Sequence, residues 1–308
     1  MSRVLLTASL LSSFLCACAS APTPQPRAPA ASAAGADTFV GVFDDHAQVW
    51  AAREKSAPSP PPHWVVAIEP TPLAEWTLWR VHLDAPTPLD AVWAMRRSAD
   101  ALLPHRMATS AAAPAAAFDP RQWTSLDACA LAPVAAAAAG AVHLAADAAS
   151  CAALAPALGV QAALLPLEVE REGEWLHLRF YADQARGAGA RDDLRKVRFY
   201  AGWAALNGAG PTAPPNADWH MDRGLRLGNE GGRAELRWRD GSASGYSLTL
   251  ERLTYRAGDV PALKLAIVAD ANGQSLAYAW ANADATRIGI NLGWVQVGLE
   301  VEPSAPTR

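Results

Sequence analysis

The chain has 308 residues, 51% of them hydrophobic, and a formal net charge of −4. That is enough apolar material for one large or two small cores. The mild negative balance and the lack of a basic stripe exclude nucleic acid as a partner, and beyond the N-terminus no apolar run is long enough to span a bilayer.

The first residues read as a secretory leader. Arg3 supplies the positive start, and Val4 to Leu15 form an apolar stretch shorter than the ~20 residues a membrane helix needs. Leu15-Cys16-Ala17-Cys18 has the pattern in which the last cysteine takes a diacylglyceryl group. The expectation is cleavage after Ala17 and a lipid membrane anchor on Cys18; an ordinary signal peptide cut near Ala19 or Ala21 is the plainer alternative. Residues 18–36 are mostly Ala, Pro, Ser and Thr and read as a tether with little to bury. Ala19 stands where an aspartate often retains lipoproteins in the inner membrane, so an outer-membrane anchor facing the periplasm is favoured. Two cysteines then remain, Cys129 and Cys151. In an oxidising compartment an even pair reads as a disulfide.

Thr38 to Phe43 is a short β-type run, and Asp44-Asp45 is placed to cap a helix from His46 towards Lys55. Trp64 to Ile68 reads as a strand. Trp76 to Leu83 alternates, with Trp76, Leu78, Arg80 and His82 on one face and Thr77, Trp79, Val81 and Leu83 on the other. Another strand lies around Ala91 to Met95, and Ala108 to Ala117 reads as a loop. Ala135 to Ala139 has helix propensity, while Gly140 also permits a hairpin. Trp175 to Tyr181 alternates again, Gly187 to Asp193 reads as a loop, and Leu194 to Leu206 is ambiguous. Pro211 to Pro215 is a linker signal. From Ala234 to Val301 the alternation is regular, with turns at Asp240-Gly241 and Asn272-Gly273. The apolar phase flips beside Gly293, which a β-bulge would produce. The fold class expected is mainly β: an antiparallel barrel over residues 37–199, followed by an antiparallel meander over 200–308.

No hydrolase elbow, P-loop or paired-histidine zinc motif is present. Gly241-Ser242-Ala243-Ser244-Gly245 has alanine where an elbow needs its nucleophile. Asp218, His220 and Asp222 would share one strand face, but a solvated segment is the simpler reading, and no metal is assigned. Glu168, Glu170, Glu172 and Glu174 read as a solvated strand face rather than a hydrolytic pair. Among 12 tryptophans, Trp79, Trp93 and Trp175 are the candidates for stacking on a flat ligand. Arg80, Arg96 and Arg97 are candidates for a ligand carboxylate, with surface arginines the simpler expectation.

Phe39-Val40-Gly41-Val42-Phe43-Asp44-Asp45-His46-Ala47-Gln48 resembles the opening motif of the CpcT/CpeT chromophore lyase family. His63-Trp64-Val65-Val66-Ala67-Ile68-Glu69-Pro70 is similar to the histidine-led strand that follows in that family. Trp123 to Cys129, then Cys151, resembles its cysteine pair, and Asp183 matches the aspartate after the next strand. The family's Tyr-Arg-x-Arg strand falls near Val92-Trp93-Ala94-Met95-Arg96-Arg97, where the tyrosine is replaced. The likeness spans about Asp37 to Asp183. It implies a lipocalin-like calyx holding a small amphipathic or tetrapyrrole-like ligand, such as a bilin, with Trp79, Arg80, Trp93, Arg96, Trp175 and Asp183 as candidate contacts. An active bilin-type lyase is the alternative the family label implies, without assigned catalytic residues or a resident cofactor. A third reading is a structural lipoprotein whose meander docks an envelope protein.

Overall fold

A computed structural model describes residues 39–56, 61–107, 115–134, 141–187, 190–208, 210–212, 214, 218–256 and 258–303. The leader, Cys18, the tether and Ala135 to Ala139 lie outside the described residues, as does most of Ala108 to Ala117. The chain is 55% strand and 17% helix, so it is mainly β. No helix among the described residues is long and apolar enough to cross a membrane.

The first half is one curled antiparallel sheet. Its strands are β1 (Gly41–Asp44), β2 (His63–Pro70), β3 (Trp76–Asp84), β4 (Leu89–Ser98), β5 (Ala101–Met107), β6 (Trp123–Ser125), β7 (Ala132–Pro133), β8 (Val142–Ala145), β9 (Pro166–Glu172), β10 (Trp175–Phe180) and β11 (Asp192–Lys196). Their order is β6-β5-β4-β3-β2-β1-β11-β10-β9-β8-β7. One further bridge, Leu102 with Leu131, ties β5 to the residue before β7, so the two ends of the sheet meet. Helix α1 (His46–Glu54) follows β1, and the short helices α2 (Ala148–Ala152) and α3 (Ala155–Leu158) precede β9.

Alternation decides what each strand buries. Trp79, Val81 and Leu83 of β3 point into the curl with Trp64, Val66, Trp93, Met95, Leu176, Leu178 and Phe180. Trp64 stacks on Phe180 with centroids 4.1 Å apart. The other face of β3 is buried too, because Trp76 and Leu78 pack with Ala94 and Trp123 beneath Phe118. Each such large side chain contributes roughly 1.5–3 kcal/mol on burial. Cys129 and Cys151 are disulfide-bonded across a sequence separation of 22. Both are buried, and Cys129 lies two residues before the Leu131 bridge. Cys151→Ala is expected to lower stability by about 3 kcal/mol in the chain-entropy account. Urea unfolding compares it with the wild type; a midpoint equal to that of the wild type would show that the crosslink constrains nothing.

The second half begins within two residues. β12 (Phe199–Asn207), β13 (Trp219–Gly228), β14 (Glu230–Arg237), β15 (Ala243–Leu253), β16 (Ala262–Ala269), β17 (Ser275–Asn282), β18 (Arg287–Asn291) and β19 (Val295–Val301) form two four-stranded antiparallel sheets. Their orders are β13-β12-β19-β18 and β14-β15-β16-β17. Tyr200, Leu206, Leu227, Val295 and Leu299 from one sheet meet Leu236, Leu248, Leu250, Leu265 and Ile267 from the other in a second core.

Several local expectations are corrected. Asp45 makes no side-chain cap to α1; Asp44 Oδ1 accepts from His46 N instead, at 2.7 Å. The Gly187 to Asp193 loop ends early, because Asp192 pairs with Leu178. The phase flip beside Gly293 is a hairpin, not a bulge: β18 pairs with β19, Asn291 opposite Gln296, and Gly293 takes φ 83° in the turn. The antiparallel meander expected after the barrel is present, with β18 and β19 paired beside β12.

Candidate functional site

The residues expected around a calyx ligand do not converge. Trp79 and Trp93 are fully buried and cross-strand neighbours. Their indole N–H groups are engaged, Trp79 Nε1 with Thr77 Oγ1 at 3.0 Å and Trp93 Nε1 with the Leu164 carbonyl at 2.9 Å. They fill the interior instead of lining a cavity. Arg80 points outward to Glu69 at 3.3 Å, and Arg96 is exposed with its guanidinium 6.0 Å from the Trp76 ring. Trp175 lies on another outer stretch, beneath Arg195 at 5.5 Å. Asp183 is buried and accepts from Phe180 N at 2.7 Å, which holds the turn after β10. Two cavities of about 530 and 550 Å³ lie elsewhere, one beside Val160 and Tyr181, the other beside Trp203 and Arg287.

Asp218, His220 and Asp222 do not gather either. Asp218 pairs with Arg239 and Asp222 accepts from Gly224 N. The alternating glutamates form a solvated, ion-paired face: Glu168 meets His143 and Arg179, Glu170 meets Arg191, and Glu174 meets Arg252.

The concentration of exposed apolar surface is on β17. Alternation turns Ala279 and Ala281 towards the second core and leaves Leu276, Tyr278 and Trp280 outside, 44%, 60% and 45% exposed. Those values decide the reading, because large apolar side chains on a folded strand normally face inward. Tyr255 and Trp50 extend the patch. Ring centroids are 5.9 Å apart for Tyr278–Trp280 and 5.1 Å for both Tyr255–Trp280 and Trp50–Tyr255. Lys264 Nζ lies 5.8 Å from the Trp280 ring. Burial, and then the nearby Glu251 and Glu54, push the Tyr255 phenol up. Among the described residues β17 pairs only with β16, and no charged residue lies in Ser275–Asn282.

A polar concentration of another kind lies where the two cores meet. Arg195 makes a bidentate pair with Glu230 at 2.7 and 2.6 Å, and both are buried. The same guanidinium donates to the Arg252 carbonyl at 2.8 Å. Burial pushes the Glu230 carboxyl up to about 7, against the hydrogen bonds and charge of Arg195. His46 reaches Glu251 at 3.2 Å. Gly231 (φ 77°) is required beside it, since a Cβ there would sit 2.5 Å from the imidazole. On the barrel side, burial pushes the Asp45 carboxyl up to about 7. A hydrogen bond to Asp44 raises His63, against its burial.

The fold and surface together define an antiparallel β-protein with two filled cores and an open aromatic edge. No family model, curated protein or solved structure matches the chain.

Proposed function

We propose that the chain is an exported lipoprotein, anchored through Cys18 and facing the periplasm, that acts by binding an extended segment of another envelope protein along β17. The open edge of β17 carries this reading. Native sheets blunt exposed edges with lysine, proline, bulges or short strands. This eight-residue strand carries no charge, and among the described residues its outer edge is unpaired, beside a row of aromatic side chains. An added strand would take its main-chain hydrogen bonds from the edge, and Tyr278 and Trp280 would receive alternate side chains. The resemblance to chromophore lyases supplies a barrel-type expectation for residues 37–199. Catalysis on a bilin is not part of this proposal, because Trp64, Trp79 and Trp93 occupy the space a calyx ligand needs.

The test is photo-crosslinking in cells from positions 276, 278 and 280, with position 287 on β18 as control. The expected result is one discrete protein adduct from the β17 positions, lost in Trp280→Glu and Tyr278→Lys. Surface substitutions usually shift stability by about 0.5 kcal/mol or less, and urea midpoints of both variants check that the fold is kept despite the lost ring contacts. Adducts that persist in both charged variants, or a product containing only this chain, would overturn a distinct protein partner.

A further inference from the structure

We infer that Asp44, Asp45 and His63 bind one divalent transition-metal ion, with zinc as the first ion to test. The three come from the end of β1, the residue before α1 and the first residue of β2. Antiparallel pairing of Asp44 with Val65 brings these ends together. His63 Nε2 lies 2.7 Å from Asp44 Oδ1 and 3.8 Å from Asp45 Oδ1. One donor atom from each residue falls within 4.8 Å of the others.

Proximity alone would describe any polar corner; a second observation points to a ligand. Asp45 is 1% exposed. Its Oδ1 accepts from Trp64 N at 2.9 Å. Its Oδ2 is buried with no hydrogen-bond partner among the described residues. A buried carboxylate oxygen left without a partner is strongly disfavoured, and a cation bound by the Asp45 carboxylate would satisfy it. Nearby cationic groups are already engaged, Arg195 by Glu230 and His46 by Glu251. The positive end of α1 carries about half a unit charge, outweighed by two carboxylates.

The donor set selects the kind of ion. One imidazole with two carboxylates suits zinc or a neighbouring first-row metal, whereas calcium and magnesium take oxygen shells. Zinc holds nitrogen and oxygen donors at about 2.0–2.2 Å, so tetrahedral donors stand about 3.4 Å apart. The present His63–Asp44 and His63–Asp45 separations, 2.7 and 3.8 Å, lie on either side of that spacing. Both carboxylates are already oriented by main-chain N–H groups, Asp44 by His46 N and Asp45 by Trp64 N, as outer-shell partners orient metal ligands. The His63 side chain is 24% exposed, which gives an ion its path. Three protein ligands leave a fourth position for water or a partner's donor group.

The experiment is calorimetric titration of zinc into the chelator-stripped full-length chain carrying Cys16→Ser and Cys18→Ser, at neutral pH, so that no leader thiol competes for the ion. The expected result is one ion per chain, with affinity about a hundredfold weaker in both Asp45→Asn and His63→Ala. No stoichiometric binding, or unchanged affinity in both variants, would overturn the site. X-ray absorption of the zinc complex of that same chain needs no site variant to fold. A shell with one imidazole and otherwise oxygen supports the assignment; two or more imidazoles would move the ion elsewhere and refute it.

Discussion

Arg195→Ala is expected to destabilise the protein by about 3–5 kcal/mol, because it strands a buried carboxylate. Glu230 is 4% exposed and receives both its strong hydrogen bonds from Arg195. The substitution also frees the Arg252 carbonyl that Arg195 reaches from the barrel side. The loss depends on pH, and its sign follows from the raised Glu230 carboxyl. A carboxyl raised on folding stabilises fully below its unfolded value, near 4.5, and that contribution disappears as pH rises through about 7. Asp44 faces Glu230 and disfavours its charge; His46 faces it and favours the charge. Without Arg195 the carboxyl binds a proton more readily still. The variant's deficit is therefore smaller at pH 5 than at pH 8. Urea midpoints of both proteins at the two pH values test this, and a deficit independent of pH would show that Glu230 stays ionised.

Trp93→Ala is expected to cost about 3–5 kcal/mol as a large-to-small change in a packed core. Trp93 is fully buried, sits opposite Trp79, and donates to the Leu164 carbonyl. The indole and its hydrogen bond are lost together, and the Leu164 carbonyl is left without its donor. This result separates a filled barrel from a calyx. If Trp93 lined an open ligand site, truncation would affect ligand uptake and leave stability within about 0.5 kcal/mol of the wild type. Denaturant unfolding followed by circular dichroism gives the answer without knowledge of any ligand.

Strand by strand, the β architecture was legible because period-two alternation survives wherever one face is buried. Trp175 to Phe180 shows it plainly. Leu194 to Leu206 was ambiguous because a strand end, a two-residue connection and a new strand run together with no glycine or proline at the junction, Val197-Arg198. The tryptophans misled for a physical reason: composition cannot tell a ring that stacks on a ligand from one that fills a core. In β17, Leu276, Tyr278 and Trp280 alternate with alanines in the sequence, but alternation does not say which face is covered, and here the alanines face inward. Asp44, Asp45 and His63 were also in view, two as a helix cap and one as a strand opening. Their convergence depends on the β1–β2 register, which places the end of one strand beside the start of the next. A search for ligating residues at the touching ends of successive antiparallel strands would have found them.

The passage between the two cores leaves no slack. Lys196 is opposite Phe43, Val197 N donates to the Val42 carbonyl, Arg198 N is held by Asn229 Oδ1, and Phe199 already pairs in β12. Asn229 itself is buried and takes a further bond from Arg252 N. Two hydrophobic cores on one chain usually behave as beads on a string, each free to melt alone. Here the hydrogen bonds around Val197, Arg198 and Asn229 join the two halves directly, so unfolding of one core is expected to draw in the other.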